Sequence, residues 1–108
     1  MATTLIRQFD VYANPERRTR EQIPYVVVLQ SDRYAETRGL IIAPLVPADR
    51  VPSDPKLYPV VVVVGARLAV VVTEIATVPR TLFREPVATL ASDRDRLVTA
   101  LDLLFLGI

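Results

Sequence analysis

YPVVVVVGARLAVVVTEIATVP, residues Tyr58–Pro79, is the stretch that decides the fold class. The five consecutive valines Val60–Val64 precede Gly65–Arg67, and a second apolar run follows at Leu68–Thr73. Valine favours extended backbone, and two such runs around a short glycine-containing segment are typical of a β-hairpin. The unbroken apolar character predicts that both faces of these strands are buried, by a second sheet, a helix or another subunit.

Strand patterns also lie on both sides of the hairpin. The clearest is RQFDVYA, in which Phe9 and Val11 fall on one face and Asp10 and Tyr12 on the other. Pro44 has no N–H to give to a ladder, so its strand is predicted to end, bulge or lie on an edge there. The predicted strands outside the hairpin are Arg7–Ala13, Tyr25–Ser31, Gly39–Val46 and Pro86–Leu90, and the predicted loops are Asn14–Pro24 and Pro47–Pro55.

A single helix is predicted at the C-terminal end. Ser92 is the expected N-cap, and Asp93 and Asp95 fall in the first turn, where the helix dipole favours negative charge. A capping role is therefore favoured for these two carboxylates over a catalytic one. Leu106 projects away from the apolar stripe and is predicted to be exposed. The stripe predicted to be buried consists of Leu97, Val98, Leu101, Leu104, Phe105 and Ile108.

Strands without βαβ alternation, followed by one helix, predict a mainly β fold, an antiparallel barrel or sheet with a C-terminal helix across it. The 108 residues are expected to form one domain, 1–108. The segment before Arg7 and Asp10 is too short for an export signal, and no apolar run approaches the roughly 20 residues of a membrane span. A cytoplasmic protein without membrane contact is expected.

The composition excludes several kinds of chemistry. The chain has no His and no Cys, which rules out imidazole bases, thiolate nucleophiles and the usual zinc ligand sets. Three glycines are too few for a phosphate-binding glycine loop, and a net charge of +1 gives no strong field toward nucleic acid. No cofactor or metal is expected.

Two polar clusters remain as candidates for a specific role. Gln30–Asp32, QSD, follows a predicted strand, where it is either a contact site or a turn in which Ser31 or Asp32 binds nearby backbone N–H groups. Arg17, Arg18 and Arg20 lie on the first loop, either simply solvated or in contact with phosphate.

An ordered set of short motifs resembles the CcdB family of toxins from toxin–antitoxin modules. The resemblance spans Gln8–Ile108, and its motifs are QFDVY, LQSD, IAPL, LYPVV, TEIATVP, EPVATLAS and FLGI. It implies an SH3-like barrel, a homodimer and no catalytic activity. Toxins of this family bind the A subunit of DNA gyrase and trap the enzyme on cleaved DNA, in plasmid maintenance among other settings, and a CcdA-type antitoxin neutralises them.

The same resemblance implies a gyrase-binding site on the helix. The family's terminal Trp-Gly-Ile corresponds to Leu106, Gly107 and Ile108, while an Asn and a Phe earlier in the helix correspond to Asp102 and Phe105. The family's Trp can make a cation–π contact that contributes about 0.5–2 kcal/mol to binding, and Leu106 cannot, because leucine has no π face. The residues predicted to contact gyrase are Leu106, Gly107, Ile108, Asp102, Phe105 and Leu103, and those predicted to contact antitoxin or target are Gln30, Ser31, Asp32, Arg33 and Tyr34.

Two alternatives stay open from the sequence. In one, the fold and the antitoxin are kept but gyrase inhibition is weak or lost because of Leu106. In the other, the chain is an endoribonuclease like MazF and Kid, which share the barrel, and Arg17, Arg18 or Arg20 assists RNA cleavage. No direct sequence-specific binding to nucleic acid is expected.

Overall fold

A computed structural model describes residues 5–108, and within that range the chain forms seven β-strands and one α-helix. The strands are β1 Asp10–Ala13, β2 Tyr25–Val28, β3 Gly39–Pro47, β4 Val60–Val63, β5 Ala66–Val70, β6 Ala76–Pro79 and β7 Ala88–Thr89, and the helix is α1 Arg94–Leu106. Short 3₁₀ helices occupy Arg17–Thr19, Asp32–Tyr34, Ala48–Arg50, Val72–Glu74, Arg80–Leu82 and Ala91–Asp93. Among residues 5–108, no helix combines the length and the hydropathy that crossing a lipid bilayer requires.

All the strand pairs are antiparallel, in the order β4-β5-β3-β2-β1-β7. The nine-residue strand β3 organises the sheet, because one of its edges pairs with β2 and the other is divided between two partners. Its Gly39–Ile42 half pairs with β6, and its Leu45–Pro47 end pairs with β5. The sheet is thereby nearly closed into a barrel, and the predicted mainly β barrel with a C-terminal helix is confirmed.

Pro44 lies inside β3, and the strand continues through it. Pro44 pairs with Val26 of β2 on one side. On the other edge of β3, the pairing with β6 ends at Ile42 and the pairing with β5 starts at Leu45. Pro44 therefore lies between the two partner strands. Its carbonyl accepts a hydrogen bond from the Val71 N–H at 2.9 Å. The missing N–H therefore falls in the gap between two ladders, which is why a proline is tolerated in a central strand.

Both faces of strands β1 to β3 are buried, each by a different set of side chains. Val11, Val27 and Leu45 face the main core, which also contains Leu97 and Ala100 of α1. The opposite face forms a second cluster, in which Ile6 and Phe83 cover residues of the sheet. The sheet residues of that cluster are Tyr12, Val26, Val28, Leu40 and Ile42. The alternation of Phe9 and Val11 with Tyr12 is confirmed, but the strand is buried on both faces and begins at Asp10.

The β4–β5 hairpin is present, but the predicted burial of both its faces is wrong. Val61 and Val63 are buried, whereas Val62 is 65% exposed and Val64 is 71% exposed. Val61 and Val63 belong to the main core, whereas the second cluster on the opposite face of the sheet contains no residue of β4, so only the inward face of this strand is covered. The predicted second run also ends early: β5 stops at Val70, and a 3₁₀ turn leads into β6, which the sequence analysis did not separate.

The hairpin turn places a β-branched residue in an unfavourable conformation. Val63 pairs with Ala66, which leaves Val64 and Gly65 as a two-residue turn with φ of 48° and 79°. Positive φ at both positions is characteristic of a type I′ turn, for which Asn-Gly is a favoured sequence. A valine in the left-handed region is strained because its branched side chain crowds the backbone.

Replacing this valine should therefore stabilise the protein. We expect Val64→Asn to raise the free energy of unfolding by about 1 kcal/mol, since asparagine tolerates the left-handed region and the exposed valine side chain loses little packing. Val62→Asn is the matched control on the same hairpin, and it should lower stability because asparagine is unfavourable in a strand. Urea unfolding followed by circular dichroism measures both, and a loss of stability in Val64→Asn would contradict the strain argument.

Candidate functional site

Most of α1 is anchored to the barrel. Leu97 and Ala100 are completely buried in the main core. Val98, Leu101 and Leu104 are partly buried and pack against the same core. No described residue after Leu104 belongs to this contact, so the anchored part stops two residues before α1 ends at Leu106.

The last turn of α1 carries exposed apolar side chains. Phe105 is 68% exposed, Leu106 is 67% exposed and Ile108 is 82% exposed. Gly107 ends the helix in the left-handed conformation with φ of 73°, and its N–H donates to the Leu103 carbonyl at 3.0 Å. We refer to residues 102–108 as the helix tip.

The exposure of Leu106 agrees with the helical stripe, but the predicted burial of Phe105 and Ile108 is wrong. The helical stripe predicts on which side of the helix these side chains lie. It does not predict how far along the helix the barrel surface extends, and the core contacts of α1 stop at Leu104. Ser92 is also not the N-cap: Asp93 occupies that position, without a capping hydrogen bond from its side chain.

The Gln30–Tyr34 cluster folds as a turn. The Ser31 Oγ accepts the Arg33 N–H at 3.2 Å, and the Asp32 Oδ1 accepts the backbone N–H of Gln8 at 2.6 Å. The Gln30 side chain donates to the Tyr34 carbonyl and accepts the Ile41 N–H at 3.1 Å. These bonds bear out the turn interpretation of the cluster. They leave Tyr34 58% exposed, with the Arg33 guanidinium 6.0 Å from the centre of its ring.

Gln8 connects this turn to the beginning of α1. Its side chain donates to the Leu29 carbonyl at 2.9 Å and accepts a hydrogen bond from Arg94 at 3.1 Å. The Arg94 guanidinium also lies 5.8 Å from the centre of the Phe9 ring. Sequence analysis did not identify this network, because Gln8 and Arg94 are 86 positions apart and no local pattern links the two.

The two predicted sets of contact residues consequently lie near opposite ends of α1. The Gln30–Tyr34 turn is linked through Gln8 to Arg94 in the first turn, while the tip begins at Asp102. Twelve residue steps from Arg94 to Leu106 correspond to about 18 Å along the helix axis. Within one chain, the structure does not bring the two sets together.

The arginines of the first loop divide into two kinds. Arg17 and Arg18 are exposed on a short 3₁₀ helix. The Arg20 Nε donates to the Asn14 carbonyl at 2.7 Å, and the buried Asn14 side chain in turn binds the Ile23 carbonyl at 2.9 Å. Arg20 therefore has a structural role in holding the loop. Across residues 5–108, no group of three or more acidic side chains is arranged to hold a metal ion.

Asp10 is a buried carboxylate beside the Gln8 network. Burial raises the pKa of Asp10, and the negative charge of Asp32 acts in the same direction. The Arg7 N–H donates to the Asp10 Oδ2 at 3.2 Å and opposes the shift, as does the charge of Arg7. The loss of hydration is the larger effect, so the pKa of Asp10 lies above its ordinary value of 3.8.

The family model described as CcdB protein matches residues 8–107, nearly the whole chain. No curated protein matches it.

The raised pKa of Asp10 leads to a pH-dependent stability. As pH rises above 3.8, Asp10 ionises in the unfolded chain first, so its contribution to stability falls until the pH passes the folded pKa. Asp10→Asn cannot ionise. The free energy of unfolding of this variant, minus that of the native protein, should therefore increase from pH 4 upward and then level off.

Chemical unfolding at several pH values between about 4 and 7 measures this difference. Asp49→Asn, which removes one exposed carboxylate elsewhere on the surface, is the control for the change in net charge. A difference for Asp10→Asn that declines as pH rises would contradict the sign of the effect.

Proposed function

This chain belongs to the CcdB family of toxins from toxin–antitoxin modules, and on that basis we propose that it inhibits DNA gyrase by binding the A subunit. The contact is made by the helix tip, through Leu106, Gly107 and Ile108 with help from Asp102, Leu103 and Phe105. The protein acts in the cytoplasm as a homodimer, and a CcdA-type antitoxin neutralises it.

The observation that carries the proposal is the exposed apolar tip on an anchored helix. Three large apolar side chains, Phe105, Leu106 and Ile108, are each about two-thirds exposed or more. Exposed apolar side chains grouped in this way mark surfaces that bind other proteins. Burying one of them fully in a partner contributes about 1.5–3 kcal/mol. Because Leu97 and Ala100 fix the helix, little conformational entropy is lost when the tip binds.

Inhibition by this tip is a binding effect and needs no chemistry from the chain. A protein that binds the DNA-cleaved state of gyrase more tightly than the resealed state shifts the enzyme toward the cleaved state. The tip offers apolar contacts and one carboxylate, Asp102, for this purpose. The turn formed by Gln30, Ser31, Asp32, Arg33 and Tyr34 provides a second surface at the other end of α1 for the antitoxin or the target.

Removing the tip tests the proposal. Deletion of Leu106–Ile108 should leave a folded protein, because the core contacts of α1 end at Leu104, but it should abolish gyrase binding and growth arrest. Val62→Ser, at an apolar side chain that is 65% exposed on β4, is the matched control and should keep both activities. Growth arrest that persists at full strength after the deletion would overturn the proposal.

A substitution at Leu106 separates strong from weak inhibition. If Leu106 limits the activity, Leu106→Trp should tighten gyrase binding by about 2- to 30-fold, since an aromatic ring adds a cation–π contact. Leu106→Ile has no ring and should show no gain. Titration calorimetry with the A subunit measures the change, and equal affinity in the Trp and Ile variants would contradict the weak-inhibitor version.

A further inference from the structure

A groove of about 480 Å³ opens on the face of the sheet that carries the second cluster, and its volume is in the range of protein ligand sites. Its apolar lining includes the buried side chains of Val26, Ile42 and Pro44. Leu82, which is 54% exposed, adds a further apolar side chain. None of the described lining residues belongs to the helix tip or to the Gln30–Tyr34 turn. The groove is therefore a third surface, separate from the two sets of predicted contact residues.

The charged side chains among the described lining residues are both acidic, Glu16 and Glu74. The Glu16 Oε1 accepts the Arg18 N–H at 3.0 Å, which fixes the position of this carboxylate. Glu74 is exposed, and no described residue makes a hydrogen bond or an ion pair with its side chain. Two carboxylates beside apolar side chains favour a ligand that combines a cationic group with an apolar one.

The first loop holds its part of the groove in a fixed shape. The buried Asn14 side chain donates to the Thr19 Oγ1 and to the Ile23 carbonyl, both at 2.9 Å, and accepts the Glu16 N–H at 2.9 Å. All four of these residues line the groove. A surface that is already ordered loses little conformational entropy when a ligand binds to it.

Strand β6 borders the groove with a free edge. The Arg80 N–H donates to the Arg38 carbonyl at 2.8 Å, and alternate residues of an antiparallel strand bond to the same neighbour. In the register of β6 with β3, Val78 and Ala76 therefore bond to β3, whereas the N–H and carbonyl of Thr77 point away from it. No described strand pairs with β6 on that side. The free backbone groups of Thr77 can pair with an extended peptide.

We propose that the groove binds an extended peptide segment of a partner protein, which adds as a strand to the free edge of β6. The segment carries a lysine or arginine two positions from a large apolar residue, because alternate side chains of a strand share one face. The apolar side chain packs against Leu82 and Ile42, and the cation pairs with Glu74. The helix tip of a second copy does not have this chemistry, since its charged side chain is the carboxylate of Asp102. The inference does not depend on gyrase binding.

The test measures the affinity of the protein for an acetylated and amidated peptide of about six residues, by titration calorimetry at about 50 mM salt. The peptide carries arginine and leucine two positions apart, with threonine elsewhere, and glutamate replaces arginine in the comparison peptide. We expect the arginine peptide to bind with a Kd below about 1 mM and the glutamate peptide to bind at least about fivefold more weakly. Absence of binding by the arginine peptide, or equal binding of both peptides, overturns the inference.

Substitutions in the groove locate the binding site. Glu74→Gln should weaken binding of the arginine peptide about three- to fivefold, and Leu82→Ser about fivefold. Glu74→Lys should reverse the preference between the two peptides. Glu36→Gln and Val62→Ser are the matched controls, because they remove an exposed carboxylate and an exposed apolar side chain outside the groove. Both controls should stay within about twofold of native, and equal losses in controls and groove variants overturn the inference.

Amide hydrogen exchange tests the strand addition itself. A saturating concentration of the arginine peptide should slow exchange of the Thr77 N–H about tenfold or more, because this N–H then donates to the peptide. Exchange at Thr77 that is unchanged by bound peptide overturns the inference. A homodimer that dissociates in Leu82→Ser, measured by sedimentation, assigns the groove to a second copy of the chain and also overturns it.

Discussion

Leu97 and Ala100 pack from α1 into the core formed with β1 to β5, and both side chains are completely buried. This contact fixes the direction of the helix relative to the barrel. Because the contact ends at Leu104 while the helix continues to Leu106, the last turn extends past the surface that supports it. The exposure of Phe105 and Ile108 thus follows from a helix that is longer than the core beneath it. A cavity at Leu97 would loosen the tip without changing any residue of the tip itself.

Periodicity and turn residues predicted most of the strands, the hairpin around Gly65 and the terminal helix. They failed where tertiary position decides burial. Val60–Val64 has the composition of a fully buried strand, but β4 stands at the end of the strand order and Val62 faces outward. The local chemistry of Pro44 similarly predicted a strand that ends, bulges or lies on an edge there, whereas the change of partner from β6 to β5 lets β3 continue through it.

The residues of the candidate site are a prediction from the motif resemblance, whereas their geometry comes from the structure. The resemblance predicts contacts through Leu106, Gly107 and Ile108, and the match over residues 8–107 supports the family. The exposure of Phe105 and Ile108 together with Leu106 became evident only once the helix was placed on the barrel. Gln8 donates a hydrogen bond to Leu29 and accepts one from Arg94, and because these residues are far apart in sequence no local pattern indicates the two bonds. They tie the Gln30–Tyr34 turn to the N-terminal end of α1, away from the tip.

We propose that this protein acts on gyrase by holding it on cleaved DNA, and a cleavage assay with cognate gyrase and supercoiled plasmid tests this action most directly. In the presence of the folded protein, supercoiling should decrease and linear DNA should accumulate with increasing dose once the enzyme is denatured. Gyrase without the protein should show little linear DNA. Unchanged supercoiling and no additional linear DNA at a large excess of the folded protein would contradict the account.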